Sequence, residues 1–278
     1  MMKLKLWQID AFSSRPFGGN PAAVVPLESW LPDTVMQAMA AENNLAETAF
    51  FVRTANGQYD LRWFAPTLEV DLCGHATLAS AWVLFTFLQP SLEEVRFHTR
   101  SGALIVKRGH GGNAMSLPSG HAEPFDVPAG YAHDLARALN VSEPVEFHVA
   151  EKGGAGTRSL IAVWDSQDQI VAISPPGNLM ELLDLMNCRS LIVTAKGDGR
   201  PYDMVSRFFA PHYGVPEDPV TGSAHATLTP FWAKRLGKKM LTARQASPRG
   251  GDLSCTYAGE HTILQGDCAL YMTAEIHI

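Results

Sequence analysis

A chain of 278 residues with 46% hydrophobic composition can bury a full core, which excludes general disorder and favours two compact lobes over one. Its formal net charge of −6 excludes the basic footprint of a nucleic-acid or anionic-membrane binder, so neither partner is expected. Charged residues make up only 18%, below the roughly 25% usual for globular domains, as expected of a well-buried or oligomeric protein.

In chain order, residues 4–11 and 22–26 alternate like strands around a turn-rich loop of Pro16, Gly18, Gly19, Asn20 and Pro21. This start lacks the long apolar core of a signal peptide. The spacing of Val35, Met36, Met39 and Ala40 predicts a helix over about 33–42. Strands at 48–53 and 58–64 follow, then an extended segment at 69–73. An almost wholly apolar helix from Gly74–His75 to about Leu88 is expected at the centre of its lobe. At this length, and with Thr77, Ser80 and Thr86 inside it, the stretch is too short and polar to span a bilayer. Strands near 94–99, 102–108 and 114–117 close the first half.

Prolines and glycines at Pro118, Gly120, Pro124, Pro128 and Gly130 mark a linker, dividing a lobe over 1–118 from one over 119–278. The final strand is counted with the second lobe but is able to pack with the first. The second half reads as a helix near 131–139, strands near 145–150, 158–164 and 169–173, and a helix at 178–187. Strands near 190–195 and 203–209, a helix from about 223 and four closing strands after 240 complete it. Pro230 would kink that last helix or delay its start. Cys73, Cys188, Cys255 and Cys268 show neither zinc nor disulfide-scaffold spacing, so a cytoplasmic protein is expected.

The second half repeats the order of the first, and two sequence blocks recur with it. Tyr59-Asp60-Leu61-Arg62-Trp63-Phe64-Ala65-Pro66 matches Tyr202-Asp203 followed by Arg207-Phe208-Phe209-Ala210-Pro211, and His75-Ala76-Thr77-Leu78 matches His225-Ala226-Thr227-Leu228. Two pseudo-symmetric lobes facing each other across a cleft are therefore expected.

Three clusters carry candidate chemistry. In Asn43-Asn44-Leu45-Ala46-Glu47-Thr48, Glu47 stands at the lip of the buried strand Ala49-Phe50-Phe51-Val52. Partial desolvation there suits it to general acid/base work, although a surface glutamate opening a strand would look the same. Cys73-Gly74-His75-Ala76-Thr77 opens the first central helix, where unpaired N–H groups and the positive dipole end favour an anion. Cys73 is equally readable there as an inert core thiol. Glu217-Asp218-Pro219-Val220-Thr221-Gly222-Ser223-Ala224-His225 offers the same helix start, preceded by a carboxylate pair and a hydroxyl. Asp218 before Pro219 is also an ordinary turn pair. Two such helix N-termini would make an electropositive pocket for a carboxylate or a developing enolate. Glu69, Asp71, Cys73 and His75 alternate, but hard and soft ligands on one segment make a poor metal site.

In order along the chain, Asp10-Ala11-Phe12, Gly19-Asn20-Pro21-Ala22-Ala23-Val24, Asn44-Leu45-Ala46-Glu47-Thr48, residues 62–66, Cys73-Gly74-His75-Ala76-Thr77, and residues 207–211, 217–224 and 245–251 resemble one family. It is the PhzF-like family, named for the isomerase of phenazine biosynthesis and sharing the diaminopimelate-epimerase fold. The resemblance implies an α/β (α+β) fold of two lobes, each a curved, mostly antiparallel sheet or barrel around a central helix. It also implies an active site between the lobes, and frequent homodimers. Carried over by position, Glu47 would be the proton shuttle, with His75 and Asp218 binding and polarising the substrate. Backbone N–H groups at Gly74 and at Gly222–Ser223 would hold the substrate carboxylate, with no metal and no organic cofactor. The equivalent of Glu47 in the second lobe falls near Arg189–Ser190, where there is no acid. Racemases of this architecture oppose two cysteines; here Cys73 takes the first place, but Thr221 stands at the second. A one-thiol epimerase or dehydratase using Cys73 remains open, as does a member that binds small molecules or partners without catalysis.

Overall fold

The computed structural model describes residues 2–151, 157–174, 177–199 and 201–278. The chain divides into two compact units, Met1–Ser116 with Gln265–Ile278, and Leu117–Leu264. From the N-terminus the elements are β1 (Lys3–Ala11), β2 (Asn20–Leu27), α1 (Asp33–Asn43), β3 (Glu47–Ala55), β4 (Gln58–Phe64), β5 (Glu69–Val70), α2 (Gly74–Val83), β6 (Glu94–Thr99), β7 (Gly102–Lys107) and β8 (Asn113–Pro118). There follow β9 (Glu123–Pro124), α3 (Tyr131–Leu139), β10 (Glu146–Ala150), β11 (Ser159–Trp164), α4 (Gln167–Ala172), α5 (Leu179–Leu185), β12 (Ser190–Lys196), β13 (Met204–Ala210), β14 (Val215–Asp218) and α6 (Gly222–Leu236). β15 (Met240–Gln245), β16 (Gly251–Ala258), β17 (His261–Gly266) and β18 (Cys268–His277) end the chain.

The first unit pairs β18 with β1, β1 with β2, β3 with β4 and β6 with β7 antiparallel, while β2–β3 and β4–β6 run parallel. In the second unit, β9–β10, β10–β11, β12–β13 and β15–β16 are antiparallel, and β11–β12 and β13–β15 parallel. Both units therefore follow one pairing scheme, with the final strand β18 standing on β1 where β9 stands on β10. Helix α2 packs on β1, β2 and β3, and α6 on β15 and β16. The residue choice in α2 suits this setting: small and apolar on every side, it is buried from His75 through Ala81 and at Val83. Its C-terminal end widens over Leu84–Leu88, where the Gln89 N–H reaches back to the Leu84 carbonyl at 2.7 Å.

The registers fix which residues correspond. Glu47 pairs with Ala22 and Ser190 with Ser159, so Ser190 takes the place of Glu47 in the second unit. Phe64 corresponds to Phe209 and Arg62 to Arg207 by the same count. Each arginine forms a bidentate pair with the glutamate of the next hairpin: Arg62 with Glu69 at 2.7 and 2.8 Å, and Arg207 with Glu217 at 2.7 and 2.8 Å. Likewise the Ser101 hydroxyl donates to the Asp71 carbonyl (2.7 Å), and that of Ser247 to the Pro219 carbonyl (2.8 Å). The duplication is thus built into the hydrogen bonding of each unit.

The structure corrects three sequence expectations. Residues 169–173 are not a strand, because Ser166 and Gln169 form a capping box that starts α4 at Gln167. Pro230 lies inside α6 without ending it. The Ala226 carbonyl that a residue-230 N–H would have bonded instead accepts from the Gly120 N–H at 3.1 Å and the Thr262 hydroxyl at 3.3 Å. Third, the repeated His-Ala-Thr-Leu is offset by two residues. The caps align Cys73 with Thr221 and Gly74 with Gly222, so His75 corresponds to Ser223 and Thr77 to His225. Thr77 and His225 act alike: the Thr77 hydroxyl and the His225 Nδ1–H each donate to the carbonyl of their own cap residue, at 2.6 and 2.8 Å.

Candidate active site

In the first unit the Asn43–Thr48 segment folds as its composition dictates. Asn44 ends α1 in the left-handed region (φ 48°), which asparagine tolerates, and its N–H bonds the Ala40 carbonyl. The Asn43 amide donates to the Thr48 hydroxyl at 3.0 Å, and Glu47 becomes the first residue of β3. This turn holds the Glu47 side chain at only 19% exposure. Its Oε2 lies 3.1 Å from Nε2 of His75, which is itself buried at the start of α2. The contact is within ion-pair range but off the hydrogen-bond line, so this buried carboxylate oxygen has no aligned donor. Buried oxygens of this kind call for an explanation, and a proton supplied by a substrate is one.

Cys73 caps α2 in an extended conformation, with no side-chain hydrogen bond to the first turn and no acid within it. The dipole and backbone donors of that turn therefore favour an anion beside His75. Cys73 Sγ lies 3.5 Å from Nδ1 and 3.9 Å from Nε2 of His75. Both ring nitrogens of His75 thus lie within contact distance of the thiol.

Ligand-type atoms of Glu47, Cys73 and His75 all lie within 4.8 Å of one another, the grouping among the described residues that a metal ion would use. Carboxylate, thiol and imidazole are donors that a metal ion accepts, and the same three side chains make a compact acid/base cluster. The alternation of Glu69 and Asp71 with Cys73 and His75 does not gather them: Glu69 is bound by Arg62 and Arg100, and the Asp71 side chain is 77% exposed.

The second unit builds its helix start in parallel. Thr221 caps α6 in an extended conformation, again without a side-chain bond to the first turn and without an acid in it. Its hydroxyl donates to Asp218 Oδ2 at 2.5 Å instead. Gly222 is buried and Ser223 partly buried at the first two helical positions. The loop is fixed from below: Glu217 is locked to buried Arg207, the Ser247 hydroxyl holds the Pro219 carbonyl, and Gln245 bonds both Asp218 and Thr221. The role of Gln245 is not legible in the sequence, because its partners lie 24 and 27 residues away.

The model of one family, described as phenazine biosynthesis-like protein, matches residues 9–274. The chain belongs to this family. It is 46% identical over 277 residues to an uncharacterized isomerase of Pseudomonas aeruginosa, covering 100% of both chains. It superposes on a crystal structure of a PhzF-family phenazine biosynthesis protein from Enterococcus faecalis with a TM-score of 0.89, at 38% identity and complete coverage of both chains. A hydroxyproline epimerase from Agrobacterium vitis shares the fold alone, with a TM-score of 0.60 at 11% identity over 99% of this chain and 92% of that one. Fold and family thus agree with the resemblance read from the sequence, and the chain is an enzyme of isomerase type. No helix among the described residues is long and apolar enough to cross a membrane.

Proposed function

We propose that this isomerase transfers a proton on a small carboxylate-bearing substrate without a metal or organic cofactor, with Glu47 as the general base and then the general acid. The observation that carries this reading is the buried Oε2 of Glu47, 3.1 Å from His75 and lacking an aligned donor. A carboxylate so placed takes a proton from carbon and returns it elsewhere on the same molecule, which is the whole of a proton-shift isomerisation. His75 binds and polarises the substrate beside it. The backbone donors of Gly74 at one helix start, and of Gly222 and Ser223 at the other, suit the substrate carboxylate and an enolate-like intermediate. Asp218 is assigned to binding and polarisation of the same substrate.

A second reading has its own observation. Cys73 Sγ touches the His75 ring, so a thiolate could act as the base in a one-thiol epimerase. A homodimer in the cytoplasm completes the proposal, and sedimentation of the purified protein tests the dimer.

The deciding experiment incubates the protein in D2O with cyclic and α,β-unsaturated carboxylates and reads mass shifts. Label taken up with wild type and lost by at least about 100-fold in Glu47→Gln supports the carboxylate mechanism. An active Glu47→Gln beside a dead Cys73→Ser reverses the assignment. Binding without exchange across a broad panel would favour a binding protein.

A further inference from the structure

Gln245 ends β15 with no exposed surface, and its amide is fully engaged. Oε1 accepts from the Thr221 N–H at 2.8 Å; Nε2 donates to the Asp218 carbonyl at 2.6 Å and to the Thr221 hydroxyl at 3.2 Å. Only this amide orientation satisfies both a backbone donor and a backbone acceptor. The Thr221 hydroxyl in turn donates to Asp218 Oδ2. A directed chain therefore runs from the Gln245 amide through the Thr221 hydroxyl to the Asp218 carboxylate, and bonds in such chains polarise one another.

Comparison within the duplicated frame isolates what Gln245 is for. Its partner in the parallel ladder is Ser206, and the equivalent ladder of the first unit, continued by one residue past Asp60 and His98, brings Thr99 to the same place. Thr99 bonds only locally, its hydroxyl donating to the Gly102 carbonyl and accepting from the Ser101 N–H. The first unit nevertheless folds the same hairpin and helix start, with Arg62–Glu69, Arg100–Glu69 and Ser101–Asp71 among the contacts that hold it. The fold at this place thus does not require a glutamine. The second unit adds one where its loop carries Asp218, a position occupied by Val70 in the first.

We propose that Gln245 is a positioning residue for the isomerisation: through Thr221 it sets the orientation of the Asp218 carboxylate and the pitch of the helix start at Gly222. The inference rests on the proton-transfer reading for its consequence, but not for its geometry. Two variants test it: Gln245→Met, which keeps volume and removes all three bonds, and Gln245→Glu, which keeps the acceptor and one of the two donor bonds while its carboxyl is protonated and has no donor once it ionises.

Two measurements separate the outcomes. Carbon-13 NMR follows the Asp218 carboxyl and proton–nitrogen correlation follows the Thr221 amide across pH, with no substrate present. Deuterium uptake by cyclic and α,β-unsaturated carboxylates follows the reaction. In Gln245→Met the Thr221 amide resonance and the Asp218 titration midpoint should move, and exchange should fall at least tenfold with melting still cooperative. Gln245→Glu should exchange faster than Gln245→Met in acid and lose that advantage as pH rises through ionisation of the new carboxyl, a break absent from wild type. A merely structural glutamine would shift melting and leave the pH profile of the surviving enzyme unchanged. Unmoved Asp218 and Thr221 signals in Gln245→Met, or a Gln245→Glu profile parallel to wild type, overturns the proposal. If wild type itself exchanges nothing, the proton-transfer reading falls while the NMR comparison still decides the role of Gln245.

Discussion

Lowering the pH should destabilise the fold through one buried residue of α6. His225 has no exposed surface; its Nδ1–H is committed to the Thr221 carbonyl at 2.8 Å, and the Ser206 hydroxyl lies 3.4 Å from Nε2. Burial favours the neutral ring and pushes the imidazole down from its ordinary 6.5 to about 4, against the opposing hydrogen bond to Thr221. Between these values the unfolded chain binds the proton and the folded chain does not. The contribution is therefore fully present above pH 6.5 and is lost as pH falls through about 4. The gap corresponds to about 3 kcal/mol once both forms are protonated, and to about 2 kcal/mol between pH 7.5 and pH 5. Other titrating groups contribute in the same range, so the comparison must be with a variant lacking this one. The first unit suggests which: Thr77 occupies the corresponding position and makes the same bond to its cap carbonyl. Urea unfolding of wild type and His225→Thr at both pH values gives four stabilities. The variant should lose about 2 kcal/mol less than wild type on acidification, whatever its stability at pH 7.5. Equal losses in the two proteins would show that His225 is not held neutral and would refute the assignment.

Replacing Arg207 by Leu strands Glu217 in a pair whose side chains are 4% and 9% exposed, and should cost about 3–5 kcal/mol by chemical denaturation. Arg62→Leu should cost less, about 1–2 kcal/mol, because that pair is more exposed and Arg100 also holds Glu69. Pro230→Ala, which in an exposed helix interior would gain about 3 kcal/mol, should change stability by less than about 1 kcal/mol, since Ala226 already has two donors; melting curves check this. Cys73→Ser should keep deuterium exchange within about threefold of wild type, since serine cannot replace a thiolate base but is tolerated beside one that is a carboxylate.

Much of the fold is legible because its strands alternate and its turns carry glycine and proline, so strand and helix order can be read locally. Local reading fails where a tertiary partner or a cap decides the outcome. Ile170-Val171 looks like strand until the Ser166–Gln169 box is recognised. Pro230 looks like a helix end until Gly120 and Thr262 are found on the carbonyl it frees. Glu47, Cys73 and His75 are nameable because each sits at an element boundary, but the approach of Glu47 to the other two joins residues 26 and 28 apart. Gln245 gives no signal beyond its membership of a matching segment, because a buried amide is recognised only by what it bonds.

The repeated tetrapeptide teaches the sharper lesson. His75 and His225 invite equal roles, yet the caps set them two residues apart: one faces Glu47 while the other is sealed in its helix core. What the units share in fact is a frame: an arginine–glutamate pair, a serine on a hairpin carbonyl, an extended cap, and a side chain returning to that cap. Where one unit departs from that frame, something other than folding is the better explanation, because the other unit folds without it. By that criterion Glu47 in place of Ser190, His75 in place of Ser223, Asp218 in place of Val70 and Gln245 in place of Thr99 stand together. Three of the four are candidates on their side-chain chemistry alone. The fourth holds the third in position, which is the relation expected if the duplicated scaffold diverged around one reaction.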